Sequence, residues 1–165
     1  RQPKFRQSLE GFSRGTAFAM LLNDYGLGFQ PTRTPKGDIE ISVVPIQETT
    51  KVWPVGWELK DSRQKTAPGL FTLVPIDLDD IALMDVLNAV SVKSKIPIRY
   101  DHWRIQANKL NIETMRVSYP PRQTSFSLLL RGVTNRNLLA YDLKIDELGQ
   151  PFAWIKPLQL GKLGR

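Results

Sequence analysis

Arg122-Gln123-Thr124-Ser125-Phe126-Ser127-Leu128-Leu129-Leu130 decides the reading of this chain, because Arg14-Gly15-Thr16-Ala17-Phe18-Ala19-Met20-Leu21-Leu22 carries the same pattern 108 positions earlier. Each copy runs on through an apolar stretch to a glycine, Gly37 or Gly149, and ends on a proline eight residues further, Pro45 or Pro157. Matched spacing at both ends means that one supersecondary unit is used twice. On this alignment Phe18 takes the place of Phe126, and Leu21 and Leu22 those of Leu129 and Leu130, each buried against its own sheet. The second copy is longer between helix and glycine, 19 residues from Leu130 to Gly149 against 15 from Leu22 to Gly37. The excess is expected in the helix end and a longer first strand.

The unit reads as helix, strand, tight turn, strand. Phe18, Leu21, Leu22 and Tyr25 fall at i, i+3, i+4 and i+7, one stripe of a helix, and Phe126, Leu129, Leu130 and Val133 repeat the spacing. Thr16 and Thr124 are the expected N-caps, since a hydroxyl can accept from a free helix amide. Leu139, Tyr141, Leu143 and Ile145 alternate with Ala140, Asp142 and Lys144 as in a half-buried strand. Asp146-Glu147-Leu148-Gly149 supplies the turn, and Phe152 to Lys156 the return strand. In the first copy Pro35-Lys36-Gly37-Asp38 turns, and Ile39, Ile41 and Val43 alternate on the way back.

Between the copies lies a connector with Trp53-Pro54-Val55-Gly56-Trp57, then a βαβ unit. Leu70 to Leu78 is strand-like; Leu83, Val86, Leu87 and Val90 form a helical stripe, with Asp79 and Asp80 near the positive end of the helix dipole. Pro97 ends that helix, Ile96 to Tyr100 is a short strand, residues 102–114 a polar loop with a helical turn, and Met115 to Tyr119 a strand feeding Pro120-Pro121. The expected fold class is therefore α+β: one complete β-α-β/β-α-β-β module and one partial β-α-β-β module, small mixed sheets each covered by helices. The partial module spans residues 1–48, opening on the extended Lys4 to Leu9; the connector is 49–69, the complete module 70–158 and the tail 159–165. The partial half is thin for an independent core.

Composition limits the chemistry. The chain has 41% hydrophobic and 24% charged residues, the balance of a folded protein, and no apolar run near the roughly 20 residues of a membrane span. It opens at Arg1 without a signal-like stretch and reads as a trimmed or processed product. With no cysteine, disulfides, thiolate catalysis and cysteine zinc sites are excluded. The net charge of +7 is spread evenly: residues 1–75 hold 10 Lys/Arg against 7 Asp/Glu and residues 76–165 hold 13 against 9. Interspersed charges of this kind are a solvated surface, so a nucleic-acid partner is disfavoured.

His102 is the only histidine, so no multi-histidine metal site can form in one chain. Beside Asp101 it reads first as a surface hydrogen-bonding residue. Asp77, Asp79, Asp80 and Asp85 are the densest acidic cluster but lack calcium-loop spacing, and carboxylates suit a helix start. Gly161-Lys162-Leu163-Gly164 matches a nucleic-acid clamp only in letters, being in the tail, and Gly26-Leu27-Gly28 serves as a helix C-cap. Trp53, Trp57, Trp103 and Trp154 are core or interface residues first. Trp103, in the irregular loop, is the best contact candidate, with His102, Arg104 and Arg99 around it. No catalytic residue, metal ligand set or cofactor is assigned.

The element order resembles the secretin and TonB-receptor N-terminal short domain. The matching residues are Ile76-Asp77-Leu78, Ala82 to Leu87, Ile98-Arg99-Tyr100-Asp101, Thr124 to Leu130, Leu138-Leu139-Ala140-Tyr141 and Phe152 to Ile155. The likeness covers about half the chain, with residues 3–45 as a half-copy. The 102–114 insertion and the Trp connector depart from the pattern and look more like uncharacterised exported bacterial proteins. The resemblance implies a periplasmic or cell-surface, non-enzymatic module whose partner is a protein of the cell envelope. The alternative is a polyanion binder, for nucleic acid or acidic polysaccharide, using Arg99, Trp103 and Arg104.

Overall fold

The computed structural model describes residues 7–47 and 51–159. It is α+β, with helices beside three small sheets. The chain folds as two compact units: one gathers the residues up to Glu58 together with Ile145–Gln150, the other Leu59–Lys144 and the residues from Pro151. The expected connector is thus divided at Glu58, its tryptophans packing in the first unit. Residues 4–6 of the expected opening strand, and the glycine pair of the tail, lie outside the described residues.

The first unit holds helix α1 (Arg14–Asn23) and the antiparallel hairpin β1 (Leu27–Arg33) and β2 (Ile39–Pro45). Its aromatic spine runs from Phe18 to Phe29 (5.0 Å between ring centroids), from Phe29 to a stacked Trp53 (5.6 Å) and on to Trp57, edge-on at 5.5 Å. Trp53 N–H donates to the Phe29 carbonyl at 2.7 Å, so the Trp segment covers the free edge of β1.

The acidic turn completes this unit. Asp146, buried, accepts from Ser13 N–H at 2.9 Å through Oδ2 and from the Leu148 and Gln150 amides, each at 2.9 Å, through Oδ1. Glu147 accepts from the Thr16 hydroxyl at 2.9 Å and the Trp53 indole at 2.8 Å. The Asp146 carboxylate thereby satisfies one of the amides that the start of α1 leaves without an intrahelical partner, Ser13 N–H, and both carboxylates lie at the positive end of the helix dipole. Gly15 is needed because a Cβ would strike the Glu147 carboxylate and the Trp53 ring.

The second unit opens with the short α2 (Arg63–Thr66) and a 3-10 turn at Pro68–Phe71. Strand β3 (Leu73–Ala82) pairs antiparallel with β5 (Arg116–Ser125). Between them in sequence come α3 (Leu83–Ser94), β4 (Ile98–Tyr100), α4 (His102–Ala107) and a 3-10 turn at Ile112–Thr114. Then α5 (Phe126–Arg136) leads to β6 (Leu139–Ile145) and β7 (Pro151–Pro157), in a sheet ordered β4-β7-β6 with β4 parallel to β7. The stripes Leu83/Val86/Leu87/Val90 and Phe126/Leu129/Leu130/Val133 are buried as their spacing predicts, and they form one core with Ile98, Tyr100, Ala153 and Ile155.

The β3–β5 ladder has two opposed bulges. Ile76 faces Arg122 and Leu78 faces Tyr119, so β5 carries an extra residue at Pro120-Pro121, where missing amides make a regular ladder impossible. Ile81 then faces Val117, so β3 carries the extra residue at Asp79-Asp80. Asp80 adopts φ 48°, donates its N–H to the Ser118 hydroxyl at 3.0 Å and accepts from Arg116 Nε at 2.8 Å. This corrects the helix-dipole reading of Asp79 and Asp80: both lie in β3, and only Asp85 sits in the first turn of α3.

Four expectations about the repeat are also corrected. The two helix–hairpin segments share their element order, but 112 positions separate the helix starts (Arg14, Phe126), the first strands (Leu27, Leu139) and the second strands (Ile39, Pro151) alike. Phe18 therefore matches Leu130, not Phe126, and no excess length has to be absorbed. The turns agree bond for bond. Thr34 N–H donates to Asp38 O and Gly37 N–H to Thr34 O, both 2.9 Å; Asp146 N–H donates to Gln150 O and Gly149 N–H to Asp146 O, both 3.0 Å. Gly37 (φ 90°) and Gly149 (φ 82°) sit in the left-handed region that each turn requires.

The caps are Ser13 and Ser125, each in extended conformation; Thr16 is inside α1 and Thr124 inside β5. The face of α1 that is fully buried is Thr16, Ala19, Met20 and Asn23, while Phe18, Leu21 and Leu22 are half-covered and Tyr25 is exposed. In the second unit α3 covers the matching face of α5; among the described residues the first unit has no such helix.

Candidate interaction surfaces

Three of the four contact residues expected from sequence, His102, Trp103 and Arg104, gather at the start of α4. Asp101, buried, caps this helix by accepting from Arg104 N–H at 3.1 Å, and the Arg104 guanidinium lies 3.5 Å from the same carboxylate. His102 and Trp103 are half-buried, and the His102 ring is tilted 5.5 Å from Tyr100. Arg99 points elsewhere: it is half-buried on β4 and donates to the Ile98 carbonyl at 2.8 Å, and desolvation lowers its pKa. Burial pushes the Tyr100 phenol up to about 12, with Arg99 acting weakly the other way. Asp101 explains why a "loop" becomes a helix here; the signal was an Asp three residues before the capped amide.

Of the tryptophans, Trp154 is buried on β7, Trp53 is half-buried in the aromatic spine, and Trp57 is exposed at its end. Sequence reasoning did not find two further surfaces in the second unit. An open cleft of about 390 Å³ is lined by Arg63, Arg131, Asn135, Ser127, Leu128 and Tyr141. Arg63 donates to the Tyr141 hydroxyl at 2.6 Å and lies over its ring, and Tyr141 in turn meets the Ser127 hydroxyl at 2.6 Å. Two guanidiniums without a lining carboxylate favour an anionic group. A second, apolar groove of about 330 Å³ runs between β3 and α3, past Val74, Ile76, Leu78, Val86 and Phe126. Its walls suit an alkyl or aromatic group.

The first unit offers a sheet edge. Ile39, Ile41 and Val43 of β2 are 69%, 58% and 49% exposed, although they share the face of Phe29, against which α1 packs. Three apolar side chains alternating along an exposed edge are the arrangement that strand-adding partners use.

Among the described residues, no helix is long and apolar enough to cross a membrane, and no group of three or more metal-binding side chains is assembled. Comparison with protein-family models, curated proteins and solved structures finds no match to this chain.

Proposed function

We propose that this chain is a non-enzymatic protein–protein interaction or scaffolding module of the bacterial cell envelope, related to the secretin and TonB-receptor short N-terminal domains. The observation that carries the interaction reading is the open apolar edge of β2. The envelope assignment, periplasmic or cell-surface, rests on the motif likeness of Ile76 to Leu78, Ala82 to Leu87, Ile98 to Asp101, Thr124 to Leu130, Leu138 to Tyr141 and Phe152 to Ile155. The immobilised chain should retain proteins from an envelope fraction of a bacterial lysate and not from the cytosolic fraction. Retention of cytosolic proteins alone would overturn this reading.

Binding of a polyanion is the second reading, favoured by the Arg63/Arg131 cleft. It requires affinity for an oligonucleotide or an acidic glycan that falls steeply with salt as counterions are released. A flat titration at low salt would remove it.

A further inference from the structure

The constant separation of the two helix–hairpin segments lets the β2 edge be compared with the filled edge of β7. Position by position, β2 corresponds to β7, with Ile41 matching Ala153 and Val43 matching Ile155 at the 112-residue separation. On β7 that edge is taken: Ile98, Arg99 and Tyr100 of β4 run parallel opposite Ala153, Trp154 and Ile155. Ala153 N–H donates to Pro97 O at 2.9 Å, and Asp101 N–H donates to Ile155 O at 2.8 Å. Helix α3 precedes that strand, and its stripe shares one core with Ile98, Tyr100 and the fully buried Ala153 and Ile155.

The backbone of β2 is set up in the same way. Phe29 directs its carbonyl to Trp53, away from β2, so the opposed pair Phe29–Val43 exchanges no hydrogen bonds across the hairpin. Pairs alternate along an antiparallel ladder, so Pro31–Ile41 and Arg33–Ile39 are of the same kind. Pro31, which lacks an amide, can occupy no other kind of site without losing a ladder bond. Ile39, Ile41 and Val43 therefore aim their N–H and C=O groups outward and their side chains toward the helix side. No hydrogen bond reaches these backbone groups from the open side among the described residues. Backbone direction and apolar face both match those that β4 and α3 satisfy on β7.

We propose that β2 accepts a β-strand from a partner polypeptide, running parallel to it. The strand carries apolar residues two apart, opposite Ile41 and Val43, as Ile98 and Tyr100 lie opposite Ala153 and Ile155. An apolar helix preceding that strand covers Ile39, Ile41 and the half-covered face of α1. The inference rests on the interaction-module reading and specifies the edge, the strand direction and the register.

The probe is a synthetic peptide with the sequence of residues Ala82–His102, the helix–strand of the second unit, added to the full chain; a scrambled peptide is the control. Residue-resolved hydrogen exchange should show the Ile41 and Val43 amides slowed about tenfold or more, while Glu40 and Ser42, already bonded within the hairpin, stay unchanged. Ile41→Pro, which removes one outward donor at an edge where proline is tolerated, should abolish that protection. Ile41→Lys, which leaves the backbone intact, should weaken peptide binding about tenfold. Protection absent from these amides, or equal with the scrambled peptide, overturns the proposal. So does protection that appears without peptide as protein concentration rises and the mass doubles, which would assign the edge to a second copy. Envelope proteins retained equally by wild type and Ile41→Pro would overturn the edge and leave the interaction reading standing. Failure of the wild type to retain any would overturn the reading itself.

Discussion

Truncating α1 at two neighbouring positions separates the face that the structure buries from the face that apolar spacing selects. Met20 is fully buried, so Met20→Ala leaves a cavity and should cost about 2–5 kcal/mol. Phe18 is half-covered and packs its ring against Phe29. Emptying a fully buried aromatic site costs about 3–5 kcal/mol, so with half the burial Phe18→Ala should cost about 1.5–2.5 kcal/mol. Phe126→Ala, at a buried site, should cost the full about 3–5 kcal/mol, so the two phenylalanines should not be energetic equivalents. Urea unfolding followed by tryptophan fluorescence reads these differences. Hydrogen exchange at α1 and at β4 shows in which unit each loss falls. The gap between the two phenylalanines is the critical result: a Phe18→Ala variant as costly as Phe126→Ala, at about 3 kcal/mol or more, would refute the assigned face.

Three other perturbations follow from local chemistry. Asp146→Asn keeps one oxygen for the Leu148 and Gln150 amides but turns an NH₂ group toward Ser13 N–H, and should cost about 1–3 kcal/mol in urea unfolding. Tyr100 is neutral in both states below pH about 10; above it the unfolded chain ionises first, so folding stability should fall by about 2–3 kcal/mol as pH rises toward 12. Tyr100→Phe should remove that share of the alkaline loss in stability measured across this range. Leu138 is an exposed leucine at φ 57°, at the position where the first copy has Gly26 at φ 71°. Leu138→Gly should stabilise by about 0.5 kcal/mol, the relieved strain slightly exceeding the added freedom of the unfolded chain, as a thermal melt can show.

The second unit was legible because its helices bury the stripes that their spacing displays: Val86, Leu87, Leu129 and Leu130 are where a period of 3.6 puts them. The repeat was legible only in part. Aligning Phe18 with Phe126 differs by four residues from aligning it with Leu130, which is about one helical turn, and an apolar stripe looks the same after one turn. The turn glycines have no such period, and Gly37 and Gly149 carried the correct separation. The buried face of α1 was hidden because only Met20 on it is a large apolar residue; the others, Thr16, Ala19 and Asn23, are small or polar. It is closed by Glu147 and Trp53, a carboxylate 131 residues from Thr16 and a ring 94 residues from that carboxylate. No local pattern records such contacts. The candidate cluster at His102, Trp103 and Arg104 was found as residues, but its organiser, the buried Asp101, was read only as a neighbour of the histidine.

The paired bulges at Asp79-Asp80 and Pro120-Pro121 have a consequence for how this sequence can change length. Each extra residue alone would turn every later side chain of its strand to the opposite face; together they cancel, so Ile81 and Val117 meet in the register that Ile76 and Arg122 began. A deletion confined to one strand would bring the exposed side chains of β3 or β5 into the core and the core side chains out. The same deletion made in both strands would leave a shorter, regular ladder. Insertions and deletions at these two sites, 40 residues apart in the chain, should therefore be tolerated as couples and rejected singly.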